Sequence, residues 1–164
     1  MENVSFEAAE KQGTTRILAI DYGTRRIGLA VTDELGMTAQ GLPTLHRANK
    51  RSDFDHLRRT IRHYSVGEIV VGLPLRMSGE TGTQADKVEE FAEALRLRFK
   101  LPVHLFDERL TSVEANRVLD QTSMSGRRRK EVVDQLAAVL ILQAFLDYRS
   151  HRDCRLLDSA DHLN

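Results

Sequence analysis

Hydrophobic periodicity is absent before residue 15, so positions 1 to 14 are expected to form a flexible tail. Apolar residues then gather in Arg16-Ile-Leu-Ala-Ile-Asp21, a short run that ends in a carboxylate and reads as a buried central strand. Tyr22-Gly23-Thr24 makes a turn, and Ile27-Gly-Leu-Ala-Val-Thr32 runs back. So close a spacing favours an antiparallel hairpin. A weaker third strand is expected over Ala39 to Leu45.

Helical spacing begins after that. Ser52 is expected to open a helix, with Asp55 three residues on in a capping-box-like pair, and Phe54, Leu57, Ile61 and Tyr64 share one face. Glu68-Ile-Val-Val-Gly72 is the next strand, followed by a turn-rich loop from Pro74 to Thr83. Val88, Phe91, Leu95 and Phe99 stripe a second helix that Pro102 stops. Val103-His-Leu-Phe-Asp107 is a strand that delivers Glu108 at its end. Thr111 and Glu114 pattern as the capping box of a helix through Leu119. Ser123 to Lys130 reads as a polar, basic loop or frayed helix start. Glu131 to Tyr148 reads as a long helix, apolar on nearly every side of its middle and therefore buried. Residues 150 to 164 are polar and are expected to form a loosely held tail. The order predicts one α/β domain over 15 to 149, whose mixed sheet has antiparallel first strands and parallel later ones, flanked by helices.

Composition narrows the function. The 164 residues suit one domain with one core. Lys plus Arg equals Asp plus Glu, which argues against a binder that acts through a basic tail. The single cysteine, Cys154, excludes an internal disulfide and any zinc site built on paired cysteines, and fits a reducing cytoplasm. The polar, acidic start does not pattern as a signal or transit peptide. The longest apolar run, Leu136 to Leu142, is too short to span a bilayer, so no membrane partner is expected.

Three carboxylates stand out. Asp21 and Glu108 lie where apolar strands end, and Asp134 lies in the first turns of the most apolar helix. Each sits on a segment that should be rigid and largely buried, where an unpaired carboxylate is costly. Gathering them makes sense if a cation neutralises them. An all-oxygen set suits Mg²⁺ or Mn²⁺, and two such ions roughly 4 Å apart can hold the attacking water and the leaving oxygen of a phosphodiester. Singly, an Asp at a strand end can equally be a turn former, and an Asp at a helix start a dipole partner.

Arginines flank each acid. Arg25 and Arg26 follow Asp21, Arg109 follows Glu108, and Arg127, Arg128, Arg129 and Lys130 precede Asp134. Arginine grips phosphate in a bidentate way whatever the base, so this pattern predicts a nucleic-acid-binding basic rim around an acidic centre. Salt bridges or a solvated loop would produce the same pattern. The few aromatics and absence of Trp argue against base stacking as the main binding mode. Ser78-Gly-Glu-Thr-Gly-Thr83 lacks the ending of a phosphate-binding P-loop and reads as an ordinary strand-to-helix connection. The histidines show no metal spacing, and His104 reads as packed or exposed rather than catalytic.

Four segments in order resemble the YqgF/RuvX family: Ile20-Asp-Tyr-Gly-Thr-Arg-Arg-Ile-Gly-Leu-Ala-Val-Thr-Asp33, Val71-Gly-Leu-Pro-Leu75 with Gly79, Phe106-Asp-Glu-Arg-Leu-Thr-Ser112 with Ala115, and Val133-Asp-Gln-Leu-Ala-Ala-Val-Leu-Ile-Leu-Gln143 with Leu146. The match spans Arg16 to Tyr148. The resemblance implies an RNase H-like fold and a hydrolase, a nuclease in maturation of pre-16S rRNA ends during ribosome biogenesis, with RNA or a pre-ribosome as partner and the family's acids at Asp21, Glu108 and Asp134. The RuvC resolvases have a similar fold. Where they carry an acid, this chain has Gly72-Leu73-Pro74, which weakens a junction-resolving role and leaves metal-dependent phosphodiester cleavage intact.

Three rivals remain open at this level. A DNA-junction nuclease would use the same acids. A sugar-kinase or chaperone-type ATPase has a phosphate loop similar to Asp21-Tyr-Gly-Thr24, but needs a second such half, which this chain lacks. A non-catalytic nucleic-acid-binding module would have little reason to collect acids beside phosphate.

Overall fold

In the computed structural model, residues 15–74, 82–111 and 126–160 are described. Strand β1 (Arg16–Tyr22) runs into β2 (Arg26–Thr32) and β3 (Ala39–His46), followed by α1 (Lys50–His63), β4 (Val66–Leu73), α2 (Thr83–Phe99) and β5 (Val103–Asp107). A short 3₁₀ turn, Glu108–Leu110, ends β5, and helix α3 covers Arg127–Ala160. The five strands form one sheet in the order β3-β2-β1-β4-β5. β1 pairs antiparallel with β2, and β2 with β3, whereas β4 lies parallel to β1 and β5 parallel to β4. This is the mixed sheet expected from the order of elements.

Alternation along the strands assigns the two faces. Leu18 and Ile20, Ile27, Leu29 and Val31, and Ile69 and Val71 face α1 and α2, packing on Phe54, Leu57, Val88, Phe91 and Leu95. Ile17 and Ala19, Ala30, and Val70 face α3, packing on Ala138, Ile141, Leu142 and Phe145. The second face is built from smaller residues, and there the helix backbone approaches the sheet closely. A Cβ on Gly28 would fall 2.1 Å from the Asp134 carbonyl oxygen, so only glycine fits beneath the helix at that point.

Several elements differ from expectation. Helix α1 begins at Lys50, not Ser52: Asn49 is the cap and accepts from the Ser52 amide at 2.9 Å, while Asp55 pairs with Arg58. Asn49 wins because an N-cap bonds the amide three residues on, and Ser52 is the residue it bonds. Arg127 to Lys130 is neither loop nor frayed end but the first helical turn of α3. The helix continues past Ser150 to Ala160, since no Gly or Pro interrupts it. Its burial is one-sided, with Ala138, Ile141, Leu142 and Phe145 buried and Leu136 and Leu140 only half-buried. Glu114 of the expected capping box, its helix through Leu119, and most of the Pro74 to Thr83 loop lie outside the described residues, while Thr111 closes the 3₁₀ turn.

Candidate active site

Side-chain parity carries Asp21 to the face that receives α3, since it continues the series Ile17, Ala19. It stands opposite Gly28 on β2, in whose missing Cβ position Asp21 and Asp134 are neighbours: the Asp21 Cβ would be 3.3 Å away and the Asp134 carbonyl oxygen 2.1 Å. Glu108 follows the last residue of β5, whose partners are Gly72 and Leu73 of β4. A Cβ on Gly72 would meet the Glu108 Oε1 at 2.7 Å and the Ile141 Cδ1 at 2.6 Å. Glycine at 28 and 72 therefore clears the space in which the acids from β1, β5 and α3 gather, at the carboxyl ends of the parallel strands.

The electrostatics single out Asp21 and Glu108. Burial, and then the nearby charge of Asp134, push the Asp21 carboxyl up to about 6. Burial, then Asp21 and Asp107, push Glu108 up to about 7. Asp134 is different, because its Oδ2 accepts a hydrogen bond from the Nε of Arg26 on β2. It is the eighth residue of α3, beyond the first turn where a helix dipole acts appreciably, so its place is not explained as a dipole partner. Among the described residues, no group of three His, Cys, Asp or Glu stands at metal-ligand spacing as placed. Asp134 is turned to Arg26, as a carboxylate beside two other acids would be. The donor set itself fits a hard divalent cation: all oxygen, half-buried, and mutually repelling until a positive charge arrives.

The basic residues divide. Arg25 is exposed at the β1–β2 turn, and Arg127, Arg128, Arg129 and Lys130 are all exposed at the start of α3. Arg26, expected on the rim, is instead the half-buried partner of Asp134. Arg109 is exposed but not free, because its guanidinium forks onto Asp107 at 2.7 and 2.9 Å. That contact holds the Asp107 carboxyl below its ordinary value and the Arg109 guanidinium above its own.

Sequence reasoning missed Arg47. Its Nε donates to buried Asp53 at 3.1 Å, its Nη1 donates to the Gly23 carbonyl at 3.0 Å, and its guanidinium lies 4.6 Å over the Tyr22 ring. Arg47 thereby ties the turn between Asp21 and Arg26 to the start of α1. Nothing in the local pattern signals this, since the partners come from three separate elements. His104, read as packed or exposed, is half-buried against Phe145 and bonds Glu68 at 3.0 Å.

The fold is that of the RNase H-like resolvases. It matches the Holliday junction resolvase Ydc2 of yeast mitochondria with a TM-score of 0.53 at 13% identity, covering 84% of this chain and 80% of that one. It matches RuvC of T. thermophilus in complex with a Holliday junction with a TM-score of 0.52 at 14% identity, covering 82% and 96%. In sequence, a Koribacter versatilis protein, provisionally named a pre-16S rRNA nuclease, is 61% identical over 134 residues, 82% of this chain and 88% of its own. A Moorella thermoacetica protein of the same provisional name is 52% identical over 132 residues, 80% and 94% of the two chains. Fold and relatives together define the class as a nuclease, an enzyme that hydrolyses phosphodiester bonds. Residues 15–148 match the family model RuvX, described as Holliday junction resolvase, and the chain belongs to that family.

Proposed function

We propose that the chain is a divalent-metal-dependent, cytoplasmic nuclease that trims pre-16S rRNA ends, with Asp21, Glu108 and Asp134 as its metal-holding catalytic acids. The observation that carries this reading is the meeting of Asp21, Glu108 and Asp134 at one end of the sheet over Gly28 and Gly72, where the half-buried Asp21 and Glu108 carboxyls are pushed up to about 6 and about 7, a charge arrangement that favours a cation. Mg²⁺ or Mn²⁺ bound there would activate water and stabilise the charge that develops on the phosphate.

The chain's own residues divide the remaining work. Asp21 and Glu108 hold fixed positions on strand ends. Asp134 would join them in holding the cation, and Arg26, its ion-pair partner, would then be available to the phosphate. Arg25, Arg109 and Arg127 to Lys130 grip the backbone on either side without reading bases. The relatives named for pre-16S rRNA support RNA as substrate. The family description supports four-way DNA as the second reading. Among the described residues, no helix is long and apolar enough to cross a membrane.

The test is incubation of purified protein with a pre-16S-end RNA and, in parallel, a four-way DNA junction, each with Mn²⁺ or Mg²⁺. The control is the Asp21→Asn, Glu108→Gln, Asp134→Asn triple variant. RNA cut by the parent alone is the expected result. Cutting of the junction alone would replace the RNA reading, and equal cutting by the triple variant would remove these acids from the chemistry.

A further inference from the structure

An acid that faces incoming phosphate should weaken binding, yet Asp107 stands beside Glu108 with its carboxylate spent wholly on Arg109. Four hydrogen bonds join the two residues. Asp107 Oδ1 accepts from the Arg109 backbone amide at 2.9 Å and from its Nε at 3.1 Å, and Oδ2 accepts from Nε at 2.9 Å and from Nη2 at 2.7 Å. The first bond makes Asp107 the cap of the turn that carries Glu108. The others form a bidentate fork, which fixes a guanidinium in orientation as well as position.

We infer that Asp107 is a positioning residue, which pre-orders Arg109 so that the free edge of its guanidinium grips a substrate phosphate next to Glu108. This rests on the nuclease reading above. The fork uses Nε–H and one Nη2–H, leaving the remaining Nη2–H and both Nη1–H as donors on a side chain that is 39% exposed. A long side chain held in this way gives up its rotamer freedom before substrate arrives, so binding no longer bears that cost. The turn beneath it is short and capped, and it puts the guanidinium and the Glu108 carboxylate on consecutive residues at the sheet's carboxyl edge.

The inference predicts a sign opposite to simple repulsion. Asp107→Asn keeps an oxygen to cap the Arg109 amide and removes the charge that holds the fork. Binding of a labelled single-stranded RNA, measured in EDTA so that nothing is cut, should weaken by roughly two- to tenfold, the cost of ordering one side chain. Asp107→Asn should have no further effect in an Arg109→Ala background. With Mn²⁺ present, KM should rise while kcat stays within about threefold, since ordering one side chain for binding acts on KM. Tighter RNA binding by Asp107→Asn would show that the acid only repels or masks, and would overturn the inference. So would a collapse of kcat at unchanged affinity, the mark of a metal ligand. The Arg109 ¹⁵Nε signal gives a readout that needs no nucleic acid: ordered in the parent, mobile in Asp107→Asn. Equal mobility in both would overturn the inference even if RNA is the substrate. An ordered parent signal with no RNA binding at all would instead fall on the substrate reading.

Discussion

Helix α3 braces two charged groups on the same face of the same strands, and they are built in opposite ways. On β4 that face reads Glu68, Val70, Gly72. At the amino end, Glu68 accepts from His104 at 3.0 Å and from Arg149 of α3 at 3.1 and 3.2 Å. At the other end, four residues and about 13 Å along the strand, Gly72 makes room for Glu108, which has no cation among its described partners and is pushed up to about 7. Asp134 and Arg149 are fifteen residues apart on α3, about 22 Å, so one helix supplies an acid to one end and a base to the other. The lesson is that burial of a carboxylate does not by itself mark a site. Glu68 is satisfied and holds helix to sheet. Asp21 and Glu108 have no cationic partner among the described residues, and burial and neighbouring acidic charges push both carboxyls up.

Asp134→Asn breaks the contrast most sharply. Cleavage should fall by more than the roughly hundredfold typical of losing an outer-shell partner. Mn²⁺ should raise the parent's melting temperature and leave the variant's nearly unchanged. The variant is not expected to gain stability in EDTA, because relief of repulsion on Asp21 is offset by loss of the Arg26 ion pair. Activity and metal-dependent melting measured together check this, and a variant that cuts like the parent would end the metal-site reading of Asp134.

Gly28→Ala tests whether the site depends on close helix packing. Its Cβ meets backbone oxygen, which cannot rotate away, so α3 must shift at a cost of about 1–3 kcal/mol in stability. Gly72→Ala should cost less, because its close neighbours are the flexible ends of Ile141 and Glu108. Urea unfolding of the two variants gives the order directly, and equal losses would contradict it.

Titration tests the Asp21–Glu108 end directly. Without metal, Asp21 and Glu108 hold protons up to about 6 and about 7, whereas the unfolded chain loses them near pH 4, roughly the unperturbed value. The folded state then binds more protons, so these groups make stability fall as pH rises through that window. Glu108→Gln should flatten the fall and raise the melting temperature at pH 7.5 in EDTA. Excess Mn²⁺ should do the same for the parent. A parent that gains stability over this range in EDTA would contradict the assignment.

The smallest effect belongs to the satisfied end. Glu68→Gln should lower stability by about 1 kcal/mol or less, since the partners it leaves are half-exposed, and should spare cleavage. A loss of activity as large as that of Asp134→Asn would show that the two ends are coupled.

The strand segments and helix periodicity were legible because they depend on neighbours in sequence. A short continuous apolar run marks Ile17 to Ile20 as a buried strand, and a three-to-four spacing marks Val88, Phe91 and Leu95 as a helix face. The acids were legible as candidates because each ends or begins such a segment. The sequence alone thus determined the elements, the mixed sheet and the three carboxylates worth testing. Only the tertiary structure decided which charges meet. Arg26 and Asp134 lie 108 positions apart, and Glu68 and Arg149 lie 81 apart. Local patterns carry nothing about such distances, so Arg26 read as rim when it is a counter-ion, and Arg47 did not read at all. The sheet's register and the approach of α3 to Gly28 place these groups within reach, and electrostatic energy, which depends on separation in space, follows from that placement.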